Sequence, residues 1–312
     1  FMAEAGFNRA AMVTPWHPTW GDAFYVRKPV VTMSTFGQNG RFANQLFQYM
    51  FLRLVARRQG ALVQTPSWVG RELFGCDEPA PVLALPEWRE PVDQLNADDA
   101  FKGCEWTRHF REPAPGFSSQ DYWGYFMGHT ADLATDRAFI RELFRFVPEF
   151  AQAAGQRLAK LRARRPRILA VHLRRGDYGY AHFFRAPCAW YEAWLRRNGF
   201  DPAEWLIYVC SETPAPYLRR FAGYQTADAT HLGGKGEVAA YLDFYVLTQA
   251  DYVLAANSSF SFMAAMLNEN ANGFARPCAQ QEALVAFDPW DAPVLLRHTP
   301  APEVHRRFIA QD

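Results

Sequence analysis

Apolar and polar positions change rhythm near residue 165. Before it, Phe42, Leu46, Met50 and Leu54 stand four apart with Phe47 and Phe51 alongside. That wide stripe at helical spacing predicts a helix from about Arg41 to Arg58, stopped by Gly60. The β-branched run VVTMSTF (30–36) predicts a strand ahead of it, and ALVQTP a second strand behind it. Prolines at 66, 79, 81, 86, 91, 113 and 115 break up 66–118, which is expected to hold loops and short pieces of structure. Helical periodicity returns over 131–146. A basic helix over about 149–164 then ends at RARRPR.

Beyond that point strands and helices alternate. RILAVHL, WLIYVC and DYVLAAN read as strands; CAWYEAWLRR, GEVAAYLDFYVLTQ and SFSFMAAMLN read as helices, and PAPYLRRF as a helix start. Each strand is apolar throughout, which predicts a parallel sheet covered on both faces. The charged, proline-stopped stretch near 160 is the expected boundary. It divides an N-terminal extension (1–29) and an α/β domain (30–160) from a second α/β domain (161–312). Arg162, Arg164, Arg165 and Arg167 are read as a solvated helix end rather than an anion patch, since cations suit a helix C-terminus.

Composition narrows the function classes. Lys plus Arg total 33 against 32 Asp plus Glu, a net charge of +1, which argues against a dedicated nucleic-acid binder. The five cysteines are widely spaced with no C-x-x-C, which predicts free thiols and a reducing compartment. No apolar run approaches the roughly 18–20 residues that span a membrane. The protein is expected to be soluble and cytoplasmic. No H-E-x-x-H and no D-x-D occurs, so no metal site is expected.

The candidate chemistry lies at strand ends. VHLRRGDY (171–178) sets His172, Arg174, Arg175 and Asp177 directly after a core strand. Charges there cost desolvation energy unless they are paired or meet a ligand. Parallel sheets bind ligands at the C-terminal ends of their strands, so VHLRRGDY, CSETP and AANSSFS are expected to border one crevice. One arginine is expected to pair with Asp177 and hold the turn, and the other to meet a phosphate, whose geometry an Arg fork matches. Asn257, Ser258 and Ser259 precede an apolar helix, where one caps and the free N–H groups suit an anion. Asp243, inside an apolar helix, is either ion-paired with a nearby Lys or Arg or accepts N–H bonds from guanine. GGKG (233–236) is read as a flexible loop.

Three blocks together resemble the α-1,2-fucosyltransferase family and its wider superfamily with α-1,6- and protein O-fucosyltransferases. GRFANQLFQY (40–49) is similar to a G-R-x-G-N-Q-x-F-Q-Y block, HLRRGDY (172–178) to H-x-R-R-G-D-Y, and 242–268 to a block built on N-S-[ST]-F-S-W-W. The resemblance implies an α/β GT-B architecture, two Rossmann-like domains facing across a cleft, with GDP-fucose in the C-terminal one. It implies inverting, metal-independent transfer of fucose from GDP-fucose to an acceptor oligosaccharide or polysaccharide, α-1,2 to a galactoside, with no further cofactor.

By the same resemblance Arg174 contacts the β-phosphate, His172 the nucleotide and Asp243 the guanine. Ser258, Ser259 and Phe260, with Asn257, hold the diphosphate, and Gly40, Arg41, Asn44 and Gln45 line the N-terminal side. The general base is left between His182, whose intrinsic pKa is near neutral, and Asp177. Glu212 is a secondary candidate. Ala43 replaces the first block's second glycine, Phe262-Met263 replaces Trp-Trp, and CSETP stands where the family often has S-D-D. The competing readings are a non-catalytic nucleotide-sugar or glycan-binding protein and a transferase of another nucleotide sugar.

Overall fold

The computed structural model describes residues 7–17, 20–90 and 119–312. Strands β1 (Phe7–His17) and β2 (Trp20–Arg27) pair antiparallel within the expected N-terminal extension. Contacts divide the described chain into two compact units. One takes residues up to 71, 76–90 and 119–126, and the other 72–75 and 127–312.

The first unit is built on four parallel strands in the order β4-β3-β6-β5: β3 (Val30–Thr32), β4 (Leu62–Gln64), β5 (Glu87–Arg89) and β6 (Gln120–Trp123). Helix α1 (Phe42–Gln59) connects β3 to β4 and ends on Gly60 in the left-handed conformation, where glycine carries no Cβ penalty. Leu46, Phe47, Tyr49 through Leu52, Leu54 and Val55 have no exposed surface. The helix is therefore buried nearly all round, a wider burial than a single stripe. Phe51 stacks on Phe126 at 3.7 Å. The first strand is shorter than expected: beyond Thr32 the chain turns, with Phe36 N–H donating to the Met33 carbonyl. In the proline-rich stretch only α2 (Gly70–Phe74) and β5 are regular, and 91–118 lies outside the described residues.

The second unit carries a six-stranded sheet in the order β12-β11-β10-β7-β8-β9. Its strands are β7 (Arg167–His172), β8 (Trp205–Cys210), β9 (Gln225–Ala227), β10 (Tyr252–Leu254), β11 (Phe274–Cys278) and β12 (Ala283–Ala286). All pairings are parallel except β11 with β12. Every residue of β8, and of β7 after Arg167, is buried, as an all-apolar parallel strand requires. The accompanying helices are α3 (Arg137–Leu143), α4 (Pro148–Arg162), α5 (Cys188–Asn198), α6 (Ala215–Leu218), α7 (Glu237–Gln249), α8 (Ser259–Leu267) and α9 (Pro302–Ala310). No described helix is long and apolar enough to cross a membrane.

Residues 127–160 fall with the second unit, whereas the boundary was expected at 160. The basic end of α4 explains the difference. Arg162 donates to Asp251 Oδ2 at 2.7 Å and to the Gln249 and Pro166 carbonyls, tying the helix to β10. Arg164 reaches Gln225, Arg165 the Pro202 carbonyl and Arg167 the Glu204 carboxylate. These cations help hold the unit together, Arg162 through a partly buried ion pair where a solvated helix end was expected.

One buried ion pair secures the loop after β7. Arg175 is 3% exposed; its Nε lies 2.6 Å from Asp312 Oδ2 and its Nη2 donates to Asp312 Oδ1 at 2.6 Å. Tyr217 Oη and the Cys188 N–H also donate to Asp312. Removing one partner of such a pair leaves a charge uncompensated inside the protein. Arg175→Ala is therefore expected to lower stability by about 3–5 kcal/mol. Urea unfolding followed by tryptophan fluorescence checks this; a loss under about 1 kcal/mol would mean the pair is solvated.

Candidate functional site

Strand order reverses at β7, the first strand of its sheet, which has β8 on one side and β10 on the other. Ligands of open α/β sheets bind outside the carboxyl ends of strands at such a reversal. HLRRGDY leaves β7 and AANSS leaves β10 at this edge, and CSETP leaves β8 beside them. Register then brings their side chains together.

The two arginines divide, but not with the expected partners: Asp177 pairs with Arg174 and not with the buried Arg175. Arg175 points inward to Asp312. Arg174 stays at the edge with 17% of its side chain exposed. Its Nη2 donates to Asp177 Oδ1 at 2.7 Å, its Nη1 pairs with Glu212, and its guanidinium lies 5.3 Å from the Tyr178 ring centre. Glu212 also accepts from the Arg175 N–H at 3.2 Å, so one carboxylate from β8 fixes both backbone and side chain of the turn. A guanidinium has five N–H donors in a rigid fork, and these two carboxylates hold its direction.

Tyr178 joins this turn to the end of β10, its hydroxyl donating to the Asn257 carbonyl at 2.9 Å. Ser258 caps α8, accepting from Phe260 N–H at 3.3 Å. The His172 ring is 5.3 Å from that of Phe260, so the β7 end and the α8 start are in contact. His172 is 5% exposed, and its Nδ1 has no hydrogen-bond partner among the described residues. Burial, with Arg174 and Arg175 adding, pushes its pKa down to about 3. The ring is neutral at physiological pH and presents an orphan polar atom at the site.

Asn257 differs from its expected role as a donor-site contact. Its amide donates to the carbonyls of His182 (3.0 Å) and Leu296 (2.8 Å), and its Oδ1 accepts from Leu296 N–H. The side chain is spent on holding two loops together. His182 also departs from the near-neutral pKa expected of it. Burial, with Arg297 nearby, takes its pKa down to about 4, and its Nε2 is buried with no hydrogen-bond partner among the described residues. It is a free base at neutral pH and a weaker one than an exposed histidine.

Asp243 lies on α7, 8% exposed. Among the described residues it has no Lys or Arg partner; the Tyr208 hydroxyl donates to its Oδ1 at 2.9 Å. Burial drives its pKa up to about 8, with Asp228 raising it further and Tyr208 opposing. Phe244, the next residue, packs its ring 5.4 Å from Phe260. In the first unit Gly40 adopts φ +89°, and a Cβ there would strike the Asn44 side chain at 2.0 Å, so this position requires glycine. Arg41 precedes α1 and its carbonyl accepts from the N–H groups of Asn44 and Gln45. Ala43 is buried, its methyl packed in the first turn.

Composition and spacing gave no sign of Tyr208 or Asp312, which position Asp243 and Arg175 from afar in the chain. Among the described residues no three His, Cys, Asp or Glu side chains converge to hold a metal ion, and Cys76, Cys188, Cys210 and Cys278 are free thiols. GGKG contributes two caps: Gly233 closes a 3-10 turn and Gly236 precedes α7.

Asp243 makes stability depend on pH. The folded protein keeps a proton there that the unfolded chain releases near pH 4. This contribution is complete below pH 4 and is lost as pH rises toward 8. Asp243→Asn is expected to flatten the decline between pH 5 and 8, by on the order of a few kcal/mol. Urea midpoints at pH 5, 6.5 and 8 read the effect; identical slopes in both proteins would show the carboxyl ionised throughout.

No protein-family model matches the chain. It is 24% identical over 250 residues to galactoside α-(1,2)-fucosyltransferase 1 of Homo sapiens, covering 73% of this chain and 64% of that protein. The chain thus spans less than two thirds of that relative. Its fold superposes on NodZ α-1,6-fucosyltransferase soaked with GDP-fucose with a TM-score of 0.53 at 16% identity, covering 84% of this chain and 99% of that one. A GDP complex of a mutant Arabidopsis thaliana FUT1 gives 0.52 at 13% identity, over 88% and 76%. The chain therefore has the fold of the fucosyltransferases, and over nearly three quarters of its length it is similar in sequence to a galactoside α-1,2 member of that superfamily.

Proposed function

We propose that the protein is a glycosyltransferase that moves fucose from GDP-fucose to a hydroxyl of an acceptor glycan, forming an α-1,2 linkage to a galactoside with inversion and without a metal ion. One observation carries this reading. The strand reversal sets Arg174 and the start of α8 at a single edge, linked through Tyr178 and through His172 with Phe260. A guanidinium fork and a helix N-terminus together suit a diphosphate. The named relatives, whose solved structures carry GDP or GDP-fucose, support the choice of donor.

In this reaction the acceptor oxygen attacks the anomeric carbon from the face opposite GDP, and the bond to the β-phosphate breaks. Negative charge builds on the diphosphate. Arg174 takes it up through N–H groups beyond those given to Asp177 and Glu212, and the N–H groups of Ser259 and Ser261 add to this. Because carboxylates already hold the fork, little reorganisation is required as charge develops. Asp243 has Oδ1 on Tyr208; two guanine N–H donors facing it would favour the ionised carboxylate and offset its burial. His182, a free base at neutral pH, is the proposed proton acceptor. Gly40, Arg41, Asn44 and Gln45 are assigned to the donor on the family block alone.

Release of GDP from GDP-fucose in the presence of β-galactosides tests the activity directly, and titration with UDP sugars tests the donor. Arg174→Ala is expected to lower turnover by about 10²–10³-fold, the effect of losing one strong transition-state contact. Arg174→Lys should restore little, because a point charge does not reproduce the fork. Near-normal turnover in either would remove Arg174 from the mechanism. Addition of EDTA should leave the rate unchanged; a large loss would reveal a required metal. Binding of GDP-fucose with no turnover of any glycan would favour a binding protein.

A further inference from the structure

The loop between the Arg174 turn and α5 has a construction that phosphate binding does not explain. Residues 179–183 fold back on themselves. Gly179 and Tyr180 N–H both donate to the Phe183 carbonyl, at 2.7 and 3.3 Å, and Phe183 N–H donates to the Tyr180 carbonyl at 2.9 Å. Ala181, at the tip, is held at φ +46°, a left-handed conformation that costs a non-glycine residue about 1–2 kcal/mol. Strain of this kind persists where the surroundings over-determine it, and it concentrates at binding sites.

What the turn presents is Tyr180. Its relative exposure is 59%, and among residues 28–90 and 119–312 it is the one exposed Phe, Tyr or Trp side chain. Its ring is supported from behind. Phe183 lies 5.6 Å from Tyr180, 4.0 Å from His182 and 5.3 Å from Tyr178, so the four rings form one cluster. Through Tyr178 the cluster reaches the Arg174 guanidinium and the Asn257 carbonyl. The base of the loop is fixed as well: Asn257 holds the His182 carbonyl, and Arg185 pairs with Asp312 at 3.2 Å. Ile309, 40% exposed, lies against Gly179 and extends the apolar surface.

We infer that Tyr180 is a stacking platform for a pyranose ring of the acceptor, continuous with the Arg174 edge. A rigidly backed tyrosine offers a large apolar face at small cost in conformational entropy, with a hydroxyl at its rim. The C–H face of a β-galactoside, with polar hydroxyls around its edge, complements such a surface. A phosphate or a nucleotide base is already provided for by Arg174, α8 and Asp243. Naming the ring as the acceptor rests on the proposed transfer reaction; the platform itself rests on the loop.

Tyr180→Ala, Tyr180→Phe and the wild type separate these. In steady-state assays with lactose and GDP-fucose, Tyr180→Ala is expected to raise KM for lactose about tenfold and to change KM for GDP-fucose less than twofold. Tyr180→Phe should retain wild-type values. Isothermal titration of the GDP-loaded protein with lactose, methyl β-galactoside and methyl β-glucoside reads the same contact without turnover. An unchanged lactose KM in Tyr180→Ala, an equal effect on the donor, or no glycan binding by the wild type would each overturn the platform. If glycan binding depends on Tyr180 while GDP-fucose does not bind, the donor assignment falls and the platform stands.

Discussion

Arg175 and Asp312 lie almost wholly out of water, and the geometry of the candidate site follows from their attraction. A strand buried on both faces cannot release a cation into the protein interior without a counter-charge. Asp312 supplies one, and Tyr217, Cys188 and Arg185 supply hydrogen bonds that keep the carboxylate satisfied. With Arg175 anchored inward, the chain direction leaves Arg174 at the rim. There Glu212 and Asp177 aim it from two sides. The inner pair sets the backbone and the outer pair sets the fork.

Electrostatics across the edge is organised by burial as much as by charge. His172 and His182 are both held neutral by desolvation next to cations, while Asp243 is pushed toward its protonated form by desolvation near another acid. Three groups that would be charged or partly charged in water are thus biased toward their neutral forms. The proposed diphosphate nucleotide would bring acceptor oxygens for the arginine and helix N–H groups, and paired N–H donors for a buried carboxyl. That complementarity links the architecture to the proposed chemistry.

Under the proposed reading the aromatic loop beside it serves a recognition task separate from that of the arginine edge. Charge and N–H groups from β7 and α8 face one way. The Tyr178–Phe183 cluster, braced by Asn257 and Arg185, presents an exposed aromatic surface a few residues further on. Both depend on the loop after one strand, so a change in its anchoring is felt by both.

Periodicity determined the helix 42–59 with its Gly60 stop, the parallel strands 167–172, 205–210 and 252–254, and the polar cap ahead of 259–267. These are local or pairwise matters of propensity, capping and burial, which a chain writes into its own residue spacing. The HLRRGDY stretch likewise announced that one arginine would be structural. Only the tertiary structure revealed its partner, which is not the Asp177 expected. The deciding partner, Asp312, lies 137 positions away and has no local signature. The short strands β9, β11 and β12 were equally silent, because strands of three to five residues toward the sides of a sheet owe their pairing to the sheet already present. The placement of 127–160 with the second unit and the spent amide of Asn257 are of the same kind. Each depends on contacts across long sequence separation, where hydrogen bonds and charge pairs are chosen by proximity in space.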